Sequence, residues 1–273
     1  MPLTELQHMV IRALRPFRQP RDYVGGGVAL NQNWPRLSDD MDIFHDERGR
    51  LPEGVNPELD ALREAGFLVE VTTQTEWMVE AILTQYGYQT RVQWLDDPES
   101  CCRFFPAIDD DVLGFRLHQS DVAINKVLCA ASRQNAARDA VDLVSIVQNY
   151  CPLGPLVWAI SGKDERHTPP NILREMRRIT FGYADKEIRT VRMEDGSEIN
   201  QNQLRSVLGP AFDAAEKYCS QIAPPALLGQ LFVNINEVPV EASGDDVEQG
   251  RVPSIPRLFC RSKKHANKLF SFS

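Results

Sequence analysis

The 273-residue sequence has no long hydrophobic run, no cysteine pair with metal-binding spacing and no cluster of histidines. A membrane helix needs about 20 consecutive apolar residues, so we expect no membrane span. None of the six cysteines forms a C-x-x-C pair and the five histidines are scattered, so neither a zinc site nor a redox site is predicted. Cys129 lies in an apolar helical stretch and is expected to be a small buried residue.

Residues 1–21 mix arginines with prolines and lack the continuous apolar stretch of a secretory signal, so we expect a cytoplasmic protein. The net charge of −8 is unevenly distributed, because residues 251–273 hold six basic side chains and no acidic one. A basic tail on an acidic body is typical of an electrostatic arm for nucleic acid or for an acidic partner. A solvated, frayed terminus has the same composition, and both interpretations stay open.

Strand and helix signals divide the chain into two halves. Apolar and charged residues make up 42% and 25%, ordinary proportions for a globular protein, so a sizeable core can form. Strands are predicted over 41–44, 67–73, 88–95 and 112–117, and helices over 3–14, 56–65, 120–133, 137–150, 171–180 and 202–221. We therefore predict an α/β (α+β) fold: a mixed sheet flanked by helices, followed by a mainly helical C-terminal domain.

Three ranges follow from this division. Residues 1–118 are predicted to form the core with the sheet, and residues 119–238 a helical domain. Residues 239–273 are predicted to be a polar linker followed by the basic tail.

A glycine triplet, Gly25 to Gly27, is followed after about a dozen residues by Asp40-Met41-Asp42. The triplet is not a P-loop, because no lysine follows a G-x-x-x-x-G frame. It is also a poor dinucleotide fingerprint, because Leu30 stands where the third glycine belongs. The aspartates, by contrast, lie on a predicted strand, where side chains alternate, so both carboxylates point to one face.

Two neighbouring carboxylates repel each other unless a cation lies between them. Carboxylate oxygens suit Mg²⁺, a hard cation that normally also binds substrate phosphates. Glycines allow backbone N–H groups to approach phosphate oxygens closely. The order and spacing of these parts predict a site for a metal ion and a triphosphate.

The Gly-Gly-x-Ala-Leu … Arg-x-Ser-x-Asp-x-Asp arrangement resembles the AbiEii/AbiGii-type nucleotidyltransferase toxins, in the DNA polymerase β-like superfamily. The matching positions are Gly26, Gly27, Ala29, Leu30, Arg36, Ser38, Asp40 and Asp42. A second block, a helical lysine before an Arg-Asp-x-x-Asp, corresponds to Lys126 and to Arg138, Asp139 and Asp142. The resemblance covers about residues 20–150.

The resemblance implies a role for each matching residue. Asp40 and Asp42 would hold Mg²⁺, Lys126 would reach the triphosphate and Asp139 would complete the catalytic set. The residues implied to contact the nucleotide are Gly26, Gly27, Arg36, Ser38 and Arg138. A simpler interpretation also stays open for the second block, in which Asp139 is only the salt-bridge partner of Lys126.

The superfamily often adds a third carboxylate from a later strand, and here Gln93 stands at the expected place. Asp96 is the nearest acid, and Glu70 on an earlier strand is a further candidate.

The implied reaction is attack by an acceptor hydroxyl on the α-phosphate of a nucleoside triphosphate. The resemblance further implies a toxin of a toxin–antitoxin or phage-defence system that acts on tRNA or another RNA and has a cognate antitoxin. Two alternatives stay open: a nucleotidyltransferase for a small molecule such as an antibiotic, and a non-catalytic relative that binds a nucleotide or a partner.

Overall fold

A computed structural model describes residues 3–46, 51–96, 103–161 and 167–256. These residues form two compact units. The first comprises 3–46, 51–96 and 105–119, and the second comprises 103–104, 120–161 and 167–256. Cys101, Cys102, Cys260 and the basic tail from residue 257 onward lie outside the described residues. Within the described ranges, no helix is long and apolar enough to cross a membrane.

The first unit is built on a seven-stranded mixed sheet, which confirms the predicted fold class. The strands are β1 (Asp22–Val24), β2 (Asp40–His45), β3 (Leu68–Gln74), β4 (Met78–Gln85), β5 (Tyr88–Asp96), β6 (Ile108–Asp110) and β7 (Gly114–Arg116). Their spatial order is β3-β4-β5-β2-β1-β7-β6. Strand β2 runs parallel to β5 and antiparallel to β1, and β1 runs parallel to β7.

Helices α1 (Glu5–Leu14) and α3 (Leu51–Glu64) pack on one face of this sheet, and the short helix α2 (Gly26–Leu30) packs against β2. The Thr4 hydroxyl caps α1, accepting a hydrogen bond from the Gln7 N–H. Helix α3 begins at Leu51, five residues before the predicted start at residue 56. The reason is an apolar stripe of helical period that starts before Pro57 and is buried along its length: Leu51, Val55, Leu59 and Leu62.

Side chains alternate strictly along β2 and β5, so the residues of the core and those of the candidate site lie on opposite faces of the sheet. Met41 and Ile43 point into the core, where they join Val92 and Trp94 of β5. Asp40 and Asp42 therefore point to the opposite face, which we call the Asp42 face. Strand β4 was missed by the sequence analysis, although its residues alternate in the same way between buried and half-buried.

The second unit is mainly helical, as predicted. The elements of the second unit are α4 (Gln119–Ser132, of which Gln119 belongs to the first unit), α5 (Ala137–Asn149), α6 (Leu153–Ser161), α7 (Pro169–Thr180), α8 (Asp185–Ile188), α9 (Gln201–Lys217), β8 (Leu231–Phe232), α10 (Gly244–Glu248) and β9 (Ser254–Ile255). Helix α9 runs through Gly209 and Pro210 without a break, because Leu204, Leu208 and Phe212 form one continuous buried stripe.

The stretch 239–256 is folded, so the prediction of a linker there is wrong. Ser243 caps α10, and β9 pairs with β8. The apolar residues of this stretch pack on a small core around Trp158, Tyr218 and Phe232, and they are Val240, Ala242, Val247 and Val252. The sequence did not predict this fold because its valines are scattered between acidic residues and show no helical or strand period. Each of these valines nevertheless packs against the small core.

A buried charge cluster ties α3 to the sheet. The Glu58 carboxylate forms an ion pair with Arg18 and accepts a 2.8 Å hydrogen bond from Trp94 Nε1. The side chains of Glu58 and Arg18 are almost wholly removed from water. A buried ion that loses its partner is strongly destabilising, because the remaining charge stays desolvated.

We predict that Glu58→Gln lowers the free energy of unfolding by about 3–5 kcal/mol, measured by urea unfolding followed by tryptophan fluorescence. The matched control is Asp60→Asn on the same helix, whose pair with Arg63 is exposed. That change is expected to lower the free energy of unfolding by at most about 1 kcal/mol. Equal, small effects of the two substitutions would contradict the role given to the buried cluster.

Candidate active site

The backbone at the start of α2 lies directly against side chains of the segment 36–42. Gly26 has φ of +60°, and a Cβ atom there would lie 1.8 Å from Asp42 Oδ2. A Cβ on Gly27 would lie 2.3 Å from Arg36 Nη2 and 2.6 Å from Ser38 Oγ. Only glycine avoids these collisions, so the two glycines allow the main chain to approach Asp42 and Ser38.

The segment that leads into β2 is held by hydrogen bonds. Ser38 Oγ donates to the Asp40 carbonyl oxygen at 3.0 Å and lies 3.3 Å from Asp40 Oδ1. Gln7 Nε2 of α1 donates to the Ser38 carbonyl oxygen at 2.8 Å. The Gly25 N–H donates to the Asp42 carbonyl oxygen at 2.9 Å. Ser38, Asp40 and the glycine turn therefore form one connected group.

Asp40 and Asp42 are half-buried on the same face of β2. Alternate residues of a strand lie about 6.6 Å apart, close enough for both carboxylates to reach one cation. The donors gathered here are carboxylate and hydroxyl oxygens, the kind that Mg²⁺ prefers. The residues present therefore fit a hard divalent cation.

Among the residues that the structure describes, no three or more His, Cys, Asp or Glu side chains form a group that could hold a metal ion. The carboxylates that the structure describes at this place are those of Asp40 and Asp42. Mg²⁺ characteristically binds through one or two carboxylates and completes its shell with waters and substrate phosphates.

Arg36 is buried beside Gly27, with 2% of its surface exposed, so it is not a surface charge. Its Nη1 donates to the Leu37 carbonyl oxygen at 2.9 Å. The guanidinium therefore lies directly against the glycine turn. Its contact with a nucleotide stays a prediction.

The candidates for a third acid occupy different places. Gln93 pairs directly with Asp42 across β2 and β5. Asp96 is buried and belongs by alternation to the face opposite Gln93. Glu70 lies on β3, three strands from β2, or about 14 Å at the usual strand spacing. Of the three, only Gln93 is beside Asp42 on the Asp42 face.

The second sequence block forms a separate cluster inside the second unit. Lys126 Nζ of α4 lies 3.2 Å from Asp139 Oδ1 and 2.8 Å from Asp142 Oδ2, both on α5. All three side chains are nine-tenths or more buried. The simpler interpretation, an ion pair of Lys126 with Asp139, is thus present in the structure, with Asp142 as an additional partner.

Tyr183 lies next to this cluster and accepts a 3.1 Å hydrogen bond from the Ala136 N–H. Burial raises the pKa of its phenol; the Ala136 hydrogen bond opposes this shift, and the negative charge of Asp139 adds to it. The phenol therefore stays neutral at physiological pH.

Asp139 Oδ2 is buried and has no hydrogen-bond partner among the described residues. The neighbouring Arg138 is half-buried.

The sequence-predicted residues thus form two groups. Gly26, Gly27, Arg36, Ser38, Asp40 and Asp42 come together in the first unit, whereas Lys126, Arg138 and Asp139 belong to the second. Sequence reasoning missed the buried anchor Gln7, and it missed Glu80, which lies beside Gln93 on β4. The alternation of Val79, Ala81 and Leu83 is the signal that could have placed Glu80 on the Asp42 face.

No protein-family model matches this sequence, and no curated protein matches it. Among solved structures, JHP933 from Helicobacter pylori is similar, with 14% identity and a TM-score of 0.48 over 79% of this chain and 95% of its own. MenT4, a nucleotidyltransferase toxin from Mycobacterium tuberculosis H37Rv, has 16% identity and a TM-score of 0.43 over 79% of this chain and 80% of its own. Both are similarities of backbone at low identity, so the chemistry of the two groups has to follow from their own residues.

Replacing Lys126 by methionine should destabilise the second unit, because two buried carboxylates would lose their cation. We predict that K126M lowers the free energy of unfolding by about 3–5 kcal/mol in urea titrations. Adding Asp139→Asn and Asp142→Asn should recover a large part of that loss. Arg178→Met, which removes an exposed partner of Glu175, serves as the control and should change little. A K126M variant as stable as the parent would contradict the buried ion cluster.

Proposed function

We propose that the protein is a Mg²⁺-dependent nucleotidyltransferase that moves a nucleoside monophosphate from a nucleoside triphosphate to an acceptor hydroxyl. The observation that carries the proposal is the group at the start of β2. There, two carboxylates share one strand face, a serine hydroxyl donates to the backbone of the first, and a glycine backbone lies against the second. The resemblance of residues 26–42 to the AbiEii/AbiGii pattern supports the same reaction.

Asp40 and Asp42 would hold the cation, and the Gly26 and Gly27 N–H groups with the Ser38 hydroxyl would bind phosphate oxygens. Bound Mg²⁺ supplies positive charge beside the phosphates. The chain's own task is positioning, because the buried Gln7 side chain holds the Ser38 carbonyl and Arg36 lies against Gly27.

In the reaction, the acceptor oxygen forms a bond to the α-phosphorus and loses its proton to water. The bond from the α-phosphorus to the oxygen that bridges to the β-phosphate breaks, and pyrophosphate leaves with that electron pair. The resemblance alone assigns Lys126 to the triphosphate, Arg138 to the nucleotide and Asp139 to the catalytic set, and these assignments stay predictions.

We further propose that the acceptor hydroxyl belongs to RNA, with tRNA as the first candidate. The six basic side chains of residues 251–273 support this choice, because a cationic segment attracts polyphosphate chains independently of their sequence. In the resembled family such an enzyme is a toxin, so a cognate antitoxin protein is the expected partner.

The test incubates the full chain with Mg²⁺, each α-³²P-labelled nucleoside triphosphate in turn, and total bacterial RNA. We expect label to move into a tRNA-sized band with one nucleotide preferred. Asp40→Ala and Asp42→Asn should each lower the transfer at least 100-fold, because positioning and charge stabilisation of the phosphates are lost together.

The matched control is Asp39→Ala, which removes the exposed carboxylate that precedes the pair and should leave transfer largely unchanged. Undiminished transfer by Asp40→Ala would overturn the assignment of the site. Label that appears on a small molecule instead of RNA would favour the antibiotic-type alternative. Binding of the nucleotide without transfer to any acceptor would favour a non-catalytic relative.

A further inference from the structure

A row of three polar side chains crosses neighbouring strands on the Asp42 face. Asp42 of β2 is paired in register with Gln93 of β5, and Gln93 is paired with Glu80 of β4. Directly paired residues project from the same face of a sheet, with adjacent strands about 4.8 Å apart. Gln93 therefore stands between the candidate cation ligand Asp42 and the carboxylate of Glu80.

The Glu80 carboxylate is held at both oxygens. Its Oε2 accepts a 2.7 Å hydrogen bond from Gln93 Nε2, and its Oε1 accepts a 2.7 Å hydrogen bond from Thr72 Oγ1. The Nε atom of Arg91 lies 3.9 Å from Glu80 Oε2. An ionised carboxylate only accepts hydrogen bonds, so it selects the NH₂ end of the Gln93 amide.

The opposite end of that amide is its carbonyl oxygen. The NH₂ group is bonded to Glu80 of β4, so the Oε1 atom is the end of the amide that is available to the β2 side, where Asp42 is the paired residue. An amide turned the other way would present an N–H group to Asp42 and would compete with a cation for its oxygens. Amide oxygens are themselves ligands for hard divalent cations.

We propose that Gln93 Oε1 is a third oxygen donor to the cation held by Asp40 and Asp42, and that Glu80 is the positioning residue that turns this oxygen inward. The proposal rests on the proposed function, since it adds a neutral ligand to the same site. In this arrangement an amide replaces a third acid. The cation is then held by two negatively charged carboxylates and one neutral amide oxygen, so three protein oxygens bind it with only two negative charges.

The experiment measures Mn²⁺ binding to the full chain without nucleotide, from the electron paramagnetic resonance signal of free Mn²⁺. Glu80→Gln removes the selection of the amide orientation, because a glutamine both donates and accepts. Gln93→Leu removes the oxygen itself. We expect each change to weaken Mn²⁺ binding about tenfold, the lower end of the range for groups that orient metal ligands.

The matched control is Gln89→Leu, which removes an amide of the same strand pair. Gln89 Nε2 donates to Thr84 Oγ1 at 3.2 Å and has no register pairing with β2. This variant should bind Mn²⁺ as the parent does. The exchange Glu80→Gln with Gln93→Glu keeps a hydrogen bond between the two residues and places a carboxylate oxygen beside Asp42, so it should restore Mn²⁺ binding to at least the parent level.

Parent-like Mn²⁺ binding by both Glu80→Gln and Gln93→Leu, with binding lost in Asp42→Asn, would overturn the role of Gln93 and leave the proposed function standing. Parent-like binding by Asp42→Asn as well would overturn the cation site and the proposed function together. Failure of the double exchange to restore binding would show that Gln93 acts only as a hydrogen-bond partner of Glu80, which also overturns the proposal.

Discussion

The close approach of the Gly26–Gly27 backbone to Asp42 and Ser38 is the contact on which the candidate site depends. A Cβ atom at either glycine would overlap atoms of the opposing side chains. The turn can therefore form only because Gly26 and Gly27 have no side chain. Through this contact, the strand that carries the carboxylates and the turn in front of it act as one structural group. Ser38, which donates to the Asp40 backbone, joins the two parts.

Each of the two units contains a buried charge cluster. In the first unit Glu58 connects Arg18 with Trp94 of β5, the strand that pairs with β2. In the second unit Lys126 joins α4 to α5 through two aspartates. Both clusters lie where water is excluded, and each ion there depends on its partner for most of its favourable interactions. Such clusters restrict the arrangement of the elements that carry them.

The sequence predicted the fold class and the strands that carry the site, because alternation around Met41 and Ile43 and around Val92 and Trp94 is regular. It predicted which carboxylates share a face, since that follows from a period of two. It could not predict the neighbours of β2, because register across strands depends on the whole sheet. For that reason the hydrogen bond between Gln93 and Glu80 could not be predicted, although the sequence places Gln93 at the position expected for a third acid. The fold of the stretch 239–256 was not predicted because its valines pack against residues that are distant in the sequence.

In the proposed function, Asp40 and Asp42 hold a divalent cation together with a nucleoside triphosphate. Crystals grown with Mn²⁺ and a non-hydrolysable nucleoside triphosphate test this arrangement, because the anomalous signal of manganese locates the ion. We expect a manganese peak within about 2.5 Å of carboxylate oxygens of both Asp40 and Asp42, with phosphate oxygens completing the shell. A nucleotide bound elsewhere in the molecule, with no manganese at these two carboxylates, would show that this arrangement is wrong.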